Sequence, residues 1–182
     1  MIRLFVGVAP PDDVRRRLAG ICGGVPGARW TSPETFHLTL RFIGDVDEGD
    51  AEDFAHALGG VRMGGFDVTL AGVGHFGSGD EARTLWAGVE KNLALVRLQR
   101  GIESALVRAG LPPEERRFTP HVTLARLADA PLARVSAFLA QYALFRAGPF
   151  AVDGFTLFSS HRRAEGPLYR VEANYPLALA PT

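Results

Sequence analysis

The sequence lacks the features that mark several common protein classes. It has a single cysteine, Cys22, among its 182 residues, so no disulfide can form within the chain. Its 20 basic residues equal its 20 acidic ones, which excludes the broad positive surface of a protein that coats duplex nucleic acid. The apolar run over residues 2–8 is too short to cross a bilayer. We therefore expect a cytoplasmic protein without a membrane span, whose contacts with any nucleic acid are local.

Several catalytic motifs are absent as well. The chain contains no Gly-x-Ser-x-Gly elbow and no Gly-x₄-Gly-Lys-Ser/Thr loop, so neither a serine hydrolase nor a nucleoside triphosphatase is indicated. No cysteine pair or His-x-His motif supplies the three or four ligands of a zinc site. We expect no metal and no cofactor.

One glycine-rich segment is typical of a different class of protein, the dinucleotide-binding proteins. Residues 72–77 match the Gly-x-Gly-x-x-Gly pattern of dinucleotide-binding proteins and follow a predicted strand over 66–71. No helix is predicted to begin directly after the pattern, and the acidic residue expected about twenty positions later is missing. An oxidoreductase is thus an alternative that rests on these glycines alone, and we expect them to form a loop.

The hydropathy pattern predicts a mixture of strands and helices. Predicted strands cover residues 2–8, 36–43, 66–71, 84–89, 121–127, 150–159 and 169–175, and predicted helices cover 12–21, 51–58, 93–109 and 132–142. The hydrophobic content of 47% suffices for a proper core. We expect one α+β domain over residues 1–182, built as two pseudo-symmetric lobes whose two antiparallel sheets line a central cleft, with the helices outside.

Two of these strands carry the same polar motif. His37 and Thr39 occupy alternate positions of one strand, and His121 and Thr123 do so in another. Side chains alternate between the two faces of a strand, so each histidine shares a face with its threonine, while the leucine or valine between them faces the core. A single strand histidine is usually a packing or surface residue. Two copies of one pattern among five histidines predict the two walls of a polar cleft.

The side chains in this cleft suit displacement at phosphorus. Histidine titrates near neutrality, so a facing pair can hold one neutral base and one protonated acid together. One imidazole deprotonates the attacking hydroxyl or water, and the other protonates the departing oxygen. The hydroxyls of Thr39 and Thr123 would hold the non-bridging oxygens. Such a pair can open a strained cyclic phosphate without a metal.

Three stretches of the sequence resemble a known family. They are RLFVGV at residues 3–8, HLTLRFIG at residues 37–44 and RFTPHVTLAR at residues 117–126. Together they are similar to the two-histidine (2H) phosphoesterases, and within that superfamily to the bacterial and archaeal RNA 2′,3′-cyclic phosphodiesterases, also called 2′-5′ RNA ligases. The resemblance extends over nearly the whole chain.

The resemblance implies a reaction and a set of site residues. His37 and His121 would be catalytic, with His121 as base and His37 as acid, and Thr39 and Thr123 would bind the phosphate. Arg126 matches a family arginine that contacts the phosphate or ribose, although its strand parity requires a bulge to turn it toward His121. The substrate would be an RNA end with a 2′,3′-cyclic phosphate, opened to a 2′-phosphate, with ATP-independent 2′-5′ ligation as the reverse reaction.

Other residues are weaker candidates for substrate binding. Arg41 shares strand parity with His37, Phe76 can stack on a base, and His161 lies in a cationic segment that can form an RNA rim. The chain itself is expected to be a monomer. Two further alternatives stay open: a phosphodiesterase for a small cyclic nucleotide or sugar cyclic phosphate, and an RNA-end binding module without turnover.

Overall fold

A computed structural model describes residues 1–78 and 81–178 of the chain. Within these residues the helices are α1 Asp12–Ile21, α2 Glu48–Leu58, α3 Leu93–Arg108 and α4 Leu132–Gln141, and a 3-10 turn covers Pro33–Thr35. The strands are β1 Ile2–Val8, β2 Ala28–Trp30, β3 Leu38–Val46, β4 Phe66–Phe76, β5 Thr84–Val89, β6 His121–Leu127, β7 Arg146–Val152, β8 Gly154–Arg163 and β9 Gly166–Pro176. The four predicted helices are thus present, with small changes at their ends.

Local chemistry fixes two of the helix starts. The Asp47 carboxylate accepts a hydrogen bond from the Asp50 backbone N–H at the start of α2, and the Asn92 side-chain oxygen accepts one from the Leu95 N–H at the start of α3. Each bond satisfies an N–H group that lacks a partner within the helix. Both helices pack on the sheet, and α3 buries Leu98, Ile102 and Leu106 completely.

The strands form one curled antiparallel sheet that divides into two equivalent halves. The strand order is β7-β4-β5-β6-β3-β1-β8-β9, with β2 paired to β6. In one half the order outward from the centre is β6-β5-β4-β7, and in the other it is β3-β1-β8-β9. Among the described strands, the two halves of the sheet are paired with each other only at Leu38 of β3 and Val122 of β6. The predicted α+β fold is confirmed, and the two predicted antiparallel sheets are the two halves of one continuous sheet.

Two predicted strand boundaries are wrong. The predicted strand over residues 150–159 is two strands, because the chain leaves β7 at Asp153 to enter β8 in the other half of the sheet. The strand beginning at Phe66 continues to Phe76 instead of ending at Ala71. A bulge between Leu70 and Val73 lets it continue, and Gly72 adopts the positive φ of 70° inside that bulge.

None of the helices in the described part of the chain is long and apolar enough to span a membrane.

The junction between the halves yields a first prediction. Leu38→Ala should lower the free energy of unfolding by about 2–5 kcal/mol, because Leu38 is fully buried at the strand pair that joins the two halves of the sheet. Urea denaturation measures this change. Leu144→Ala is the control, since Leu144 is 93% exposed and its loss should alter stability by less than about 0.5 kcal/mol. Equal effects of the two substitutions would contradict the assigned role of the junction.

Candidate active site

The junction of the two halves places both polar motifs on one face of the sheet. Leu38 and Val122 are paired and fully buried on the core side. Because side chains alternate along a strand, the histidine before and the threonine after each of them project to the opposite face. These four residues are His37, Thr39, His121 and Thr123. The structure therefore brings the four motif residues together along one cleft.

Each histidine is held by a hydrogen bond of the same form. Nδ1 of His37 lies 2.8 Å from the carbonyl oxygen of Thr35, and Nδ1 of His121 lies 2.7 Å from the carbonyl oxygen of Thr119. A carbonyl oxygen can only accept, so Nδ1 carries the hydrogen in both rings. The other ring nitrogen, Nε2, is left to accept or donate a proton. The sequence contains the extended repeat Thr-x-His-x-Thr, which was a further signal of this duplication.

Aromatic rings pack against His37. Its ring centroid lies 4.7 Å from that of Phe5 and 5.1 Å from that of Tyr169, which meets it edge-on at 85°. Phe5 stacks in turn on Phe158, with centroids 5.1 Å apart. Sequence reasoning missed Phe5 and Tyr169 as site residues. Phe5 was hidden in an apolar strand, and Tyr169 reaches the site from β9, far along the chain.

A second pair of rings packs against His121. Phe76 meets the His121 ring edge-on at 87° with centroids 4.8 Å apart, and the Trp86 ring lies 6.0 Å from it. Phe76 is 38% exposed, so part of its face is open to a ligand. Trp86 is half-buried beside His121. Phe76, a weak candidate from the sequence, therefore lies beside a motif histidine.

The glycine pattern over residues 72–77 is explained by the sheet. Most of it lies within β4 rather than in a loop. Gly74 is opposite Trp86 in the ladder, and a Cβ on Gly74 would overlap the six-membered ring of that tryptophan. Gly77 adopts a positive φ of 98° just after the strand. Gly72 and Gly77 allow the positive φ angles at the bulge and at the end of the strand, and Gly74 leaves room for the Trp86 ring.

A bulge occurs at the same point of both motif strands. In β6, Thr123 pairs with Trp86 and Ala125 pairs with Leu85, so Leu124 is the extra residue. In β3, Thr39 pairs with Gly7 and Arg41 pairs with Val6, which leaves Leu40 as the extra residue. A bulge of one residue reverses the alternation of side chains beyond it. The second residue after each bulge therefore returns to the cleft face.

The bulge in β6 turns Arg126 toward the cleft. Leu124 and Ala125 are both buried, and Arg126 after them is exposed. Desolvation lowers the pKa of His121 and raises that of Tyr169; the positive charge of Arg126 adds to the first shift and opposes the second, so the guanidinium acts on groups of both halves. Arg126 is an odd number of residues from His121, so a bulge between them was predicted, and the bulge at Leu124 is that irregularity.

The bulge in β3 turns Arg41 away from the cleft, contrary to the expectation from strand parity. Arg41 is only 7% exposed, and its guanidinium donates to the carboxylate of Glu103 on α3. It also donates to the carbonyl oxygens of Phe42 at 2.7 Å and Pro112 at 2.6 Å. Arg41 thus ties β3 to the segment that leads into the second motif. Phe42, 43% exposed, takes the position equivalent to Arg126.

His161 also lies away from the cleft, contrary to expectation. Its Nε2 is 2.9 Å from Oγ of Ser159, which is fully buried and donates to the carboxylate of Glu172. Ser159 is opposite Leu4 in the ladder, and Leu4 belongs to the core. His161 shares that face because it is two residues from Ser159. His161 therefore belongs to a hydrogen-bond network with Ser159 and Glu172 on the face of the sheet opposite the cleft.

Burial controls the titration of the two motif histidines. Desolvation lowers the pKa of His37, and the charge of His121 lowers it further, while the bond to the Thr35 carbonyl acts in the opposite direction. Desolvation likewise lowers the pKa of His121, against the effect of the Thr119 carbonyl, and Arg126 lowers it further. Both rings therefore favour the neutral form in the empty cleft.

No group of three or more histidine, cysteine, aspartate or glutamate side chains is placed to hold a metal ion in the part of the chain that the structure describes.

The fold and the site define a protein of two related α+β halves that share one two-histidine cleft. The chain belongs to the LigT-like phosphoesterase family, whose family model matches residues 8–86 and 88–169. This confirms the resemblance inferred from the motifs. The boundary between the two matched segments falls between the first and the second motif.

Relatives and solved structures agree with this assignment. The RNA 2′,3′-cyclic phosphodiesterase of Aeropyrum pernix is 35% identical over 149 residues, covering 81% of this chain and 84% of that protein. The protein of the same name from Thermotoga maritima is 32% identical and covers 93% and 92%. The crystal structure of E. coli LigT complexed with 3′-AMP has a TM-score of 0.78 at 26% identity, covering 97% of this chain and 98% of that one.

The Arg41 network yields a prediction about stability. Arg41→Met should lower the free energy of unfolding by about 3–5 kcal/mol, because it leaves the Glu103 carboxylate without its cationic partner. The control is Arg146→Met, which removes an exposed ion pair with Glu90 and should cost less than about 1 kcal/mol. Urea denaturation of both variants makes the comparison. A loss at Arg41 no larger than that at Arg146 would refute the assignment.

Proposed function

We propose that this chain hydrolyses the terminal 2′,3′-cyclic phosphate of RNA to a 2′-phosphate, using His37 and His121 as an acid-base pair. The observation that carries the proposal is the matched pair of Nδ1 hydrogen bonds, each of which leaves Nε2 of an imidazole available in one cleft. The relatives from Aeropyrum pernix and Thermotoga maritima bear the name of this activity. E. coli LigT has been crystallised with 3′-AMP, a nucleoside phosphate.

In the proposed reaction, one proton is taken up and one is released by the pair. Neutral His121 removes a proton from a water molecule, whose oxygen forms a bond to phosphorus. The bond between phosphorus and the ribose 3′ oxygen breaks, and protonated His37 gives its Nε2 proton to that oxygen. The products are a 2′-phosphate and a free 3′-hydroxyl. Proton exchange with solvent then restores both histidines.

The surroundings of the two histidines support this division of roles. Arg126 disfavours the protonated form of His121, which suits a base. Among the described residues, no arginine is one of the groups that shift the pKa of His37; its neighbours are Phe5, Tyr169 and the other histidine. A bound phosphate would bring negative charge into the cleft and favour the protonated acid.

The remaining residues of the cleft would bind the substrate. The half-buried hydroxyls of Thr39 and Thr123 and the guanidinium of Arg126 suit the non-bridging phosphate oxygens, because charge-assisted hydrogen bonds are strong where water is excluded. Phe76 and Trp86 offer aromatic faces on which a base can stack. The partner is thus a single-stranded RNA end.

The same geometry permits ligation. If a 5′-hydroxyl replaces water as the nucleophile, its oxygen forms a bond to the phosphorus of the cyclic phosphate, the bond from phosphorus to the ribose 3′ oxygen breaks, and a 2′-5′ linkage with a free 3′-hydroxyl forms without ATP. Water is far more concentrated than any RNA end, so hydrolysis should dominate unless both ends are held together.

One incubation tests the proposal. An oligonucleotide ending in a 2′,3′-cyclic phosphate, treated with the chain in the presence of EDTA, should yield the 2′-phosphate, identified by ³¹P NMR and mass spectrometry. Unchanged RNA at every length tested would refute the activity, and turnover of mononucleoside cyclic phosphates alone would favour the small-molecule alternative. Inactivation by EDTA that zinc or manganese reverses would indicate a metal enzyme. A 3′-phosphate product would mean that the opposite ribose oxygen leaves.

The histidine pair should respond as one unit. His37→Ala and His121→Ala should each reduce kcat by about 10²- to 10⁴-fold, and the double variant should be scarcely slower, because a base without its acid gains little. The control is His56→Ala, which changes an exposed histidine of α2. Circular dichroism checks that the fold is retained. A single variant that keeps more than about a tenth of the activity would remove that histidine from the proposed pair.

The pH dependence should follow the lowered pKa of both histidines. A base with a lowered pKa stays neutral to lower pH, and an acid with a lowered pKa loses its proton at lower pH. Both limbs of the bell-shaped kcat/KM profile should therefore lie on the acid side of the usual histidine value of about 6.5. Arg126→Gln should move the His121 limb to higher pH, because it removes the neighbouring positive charge. Limbs at or above the usual value in the unaltered protein would contradict this.

A further inference from the structure

Tyr169 lies at the centre of the cleft although no motif includes it. It belongs to β9, at the outer edge of one half of the sheet. Its ring reaches inward to Phe5, with centroids 5.0 Å apart, and to His37 at 5.1 Å. A tyrosine at the edge of the sheet thus contacts the first motif histidine directly.

The phenol also faces the other half of the cleft. The positive charge of Arg126, which belongs to β6, acts on the Tyr169 hydroxyl and lowers its pKa, against the stronger effect of burial that raises it. Burial therefore keeps the phenol protonated at neutral pH, when it can donate a hydrogen bond. The Tyr169 ring thus packs on an imidazole of one half, and its hydroxyl is within the electrostatic influence of a guanidinium of the other.

Tyr169 differs from the other two tyrosines of the chain in its hydrogen bonding. The Tyr175 hydroxyl donates to the carbonyl oxygen of Ala55 at 2.8 Å, and the Tyr142 hydroxyl accepts from Gln141 at 3.3 Å. The groups that shift the pKa of Tyr169 include no hydrogen-bond partner among the described residues. Tyr169 is half-buried, and its hydroxyl is not among the buried unpaired atoms, so it is open to solvent. It is therefore free to donate to a ligand that enters the cleft.

We propose that the Tyr169 hydroxyl donates a hydrogen bond to a non-bridging oxygen of the phosphate bound between His37 and Arg126. This inference rests on the proposed function, because it takes the phosphate group of that substrate as the ligand. Tyr169 lies beside His37 and within the electrostatic influence of Arg126, and this is the region where the phosphate would lie. The bond moves no proton, so it assists binding and charge stabilisation without entering the acid-base sequence.

Removal of the hydroxyl alone tests the proposal. Tyr169→Phe keeps the ring that packs on His37 and Phe5 and deletes only the donor. We expect the affinity for inorganic phosphate and for adenosine 2′-monophosphate, measured by isothermal titration calorimetry, to fall by about 10- to 100-fold, as for a lost hydrogen bond to a charged group. The kcat/KM for the cyclic phosphate should fall by a similar factor, while the melting temperature should not change.

The matched control is Tyr175→Phe. It deletes the hydroxyl that donates to Ala55, away from the cleft. This variant should lower the melting temperature and leave phosphate affinity and turnover unchanged. The pair of variants separates a hydroxyl that binds ligand from one that stabilises the fold.

Two outcomes would overturn the proposal. If Tyr169→Phe binds phosphate as tightly as the unaltered protein, Tyr169 only packs against His37. If the unaltered protein binds neither inorganic phosphate nor the 2′-nucleotide, the cleft has no phosphate site for Tyr169 to serve. Failure of the proposed function appears differently: the unaltered protein would bind phosphate, Tyr169→Phe would weaken that binding, and cyclic phosphate RNA would stay intact.

Discussion

The structure depends on the pairing of Leu38 with Val122. This is the only point at which β3 and β6 are paired, and both side chains are fully buried. Because side chains alternate along a strand, fixing these two side chains in the core directs the residues before and after each of them to the cleft. A slip of one residue in either strand would send a histidine and a threonine into the core and a leucine or valine into the cleft. Hydrophobic burial at one pair thus sets the register of the whole polar site.

The two halves share a backbone arrangement and differ in the side chains that it directs to the cleft face. Both motif strands bulge at the leucine after the threonine, and the second residue beyond each bulge returns to the cleft. That residue is Phe42 in one half and Arg126 in the other. The same backbone device therefore presents an aromatic ring in one half and a positive charge in the other. A pair of equivalent imidazoles becomes inequivalent through the side chains around it, which is what an acid and a base require.

The sequence predicts the repeated part of the site better than the rest. Two His-x-Thr motifs in apolar strands are enough to predict the fold class and the shared cleft, because strand periodicity is local. Regular alternation of side chains predicts that Arg41 faces the cleft with His37 and Thr39. The bulge at Leu40 reverses that alternation and has no signal in the sequence, so the prediction for Arg41 is wrong. The same parity argument applied to Arg126 required a bulge. Tyr169 has no local signal, since the contact that brings it to His37 depends on how strongly the sheet curls.

Burial of the two imidazoles carries a cost that only an anion can offset. Each Nδ1 is satisfied by a backbone carbonyl, but desolvation lowers the pKa of both rings, so burial favours the neutral form of each. In the proposed reaction one of them must be protonated. A phosphate between the halves would supply negative charge to the imidazole that faces the leaving oxygen, while Arg126 keeps the other one neutral. The acid is then formed most readily when substrate is present, and the same low-polarity walls that disfavour its charge beforehand strengthen its interaction with the phosphate afterwards.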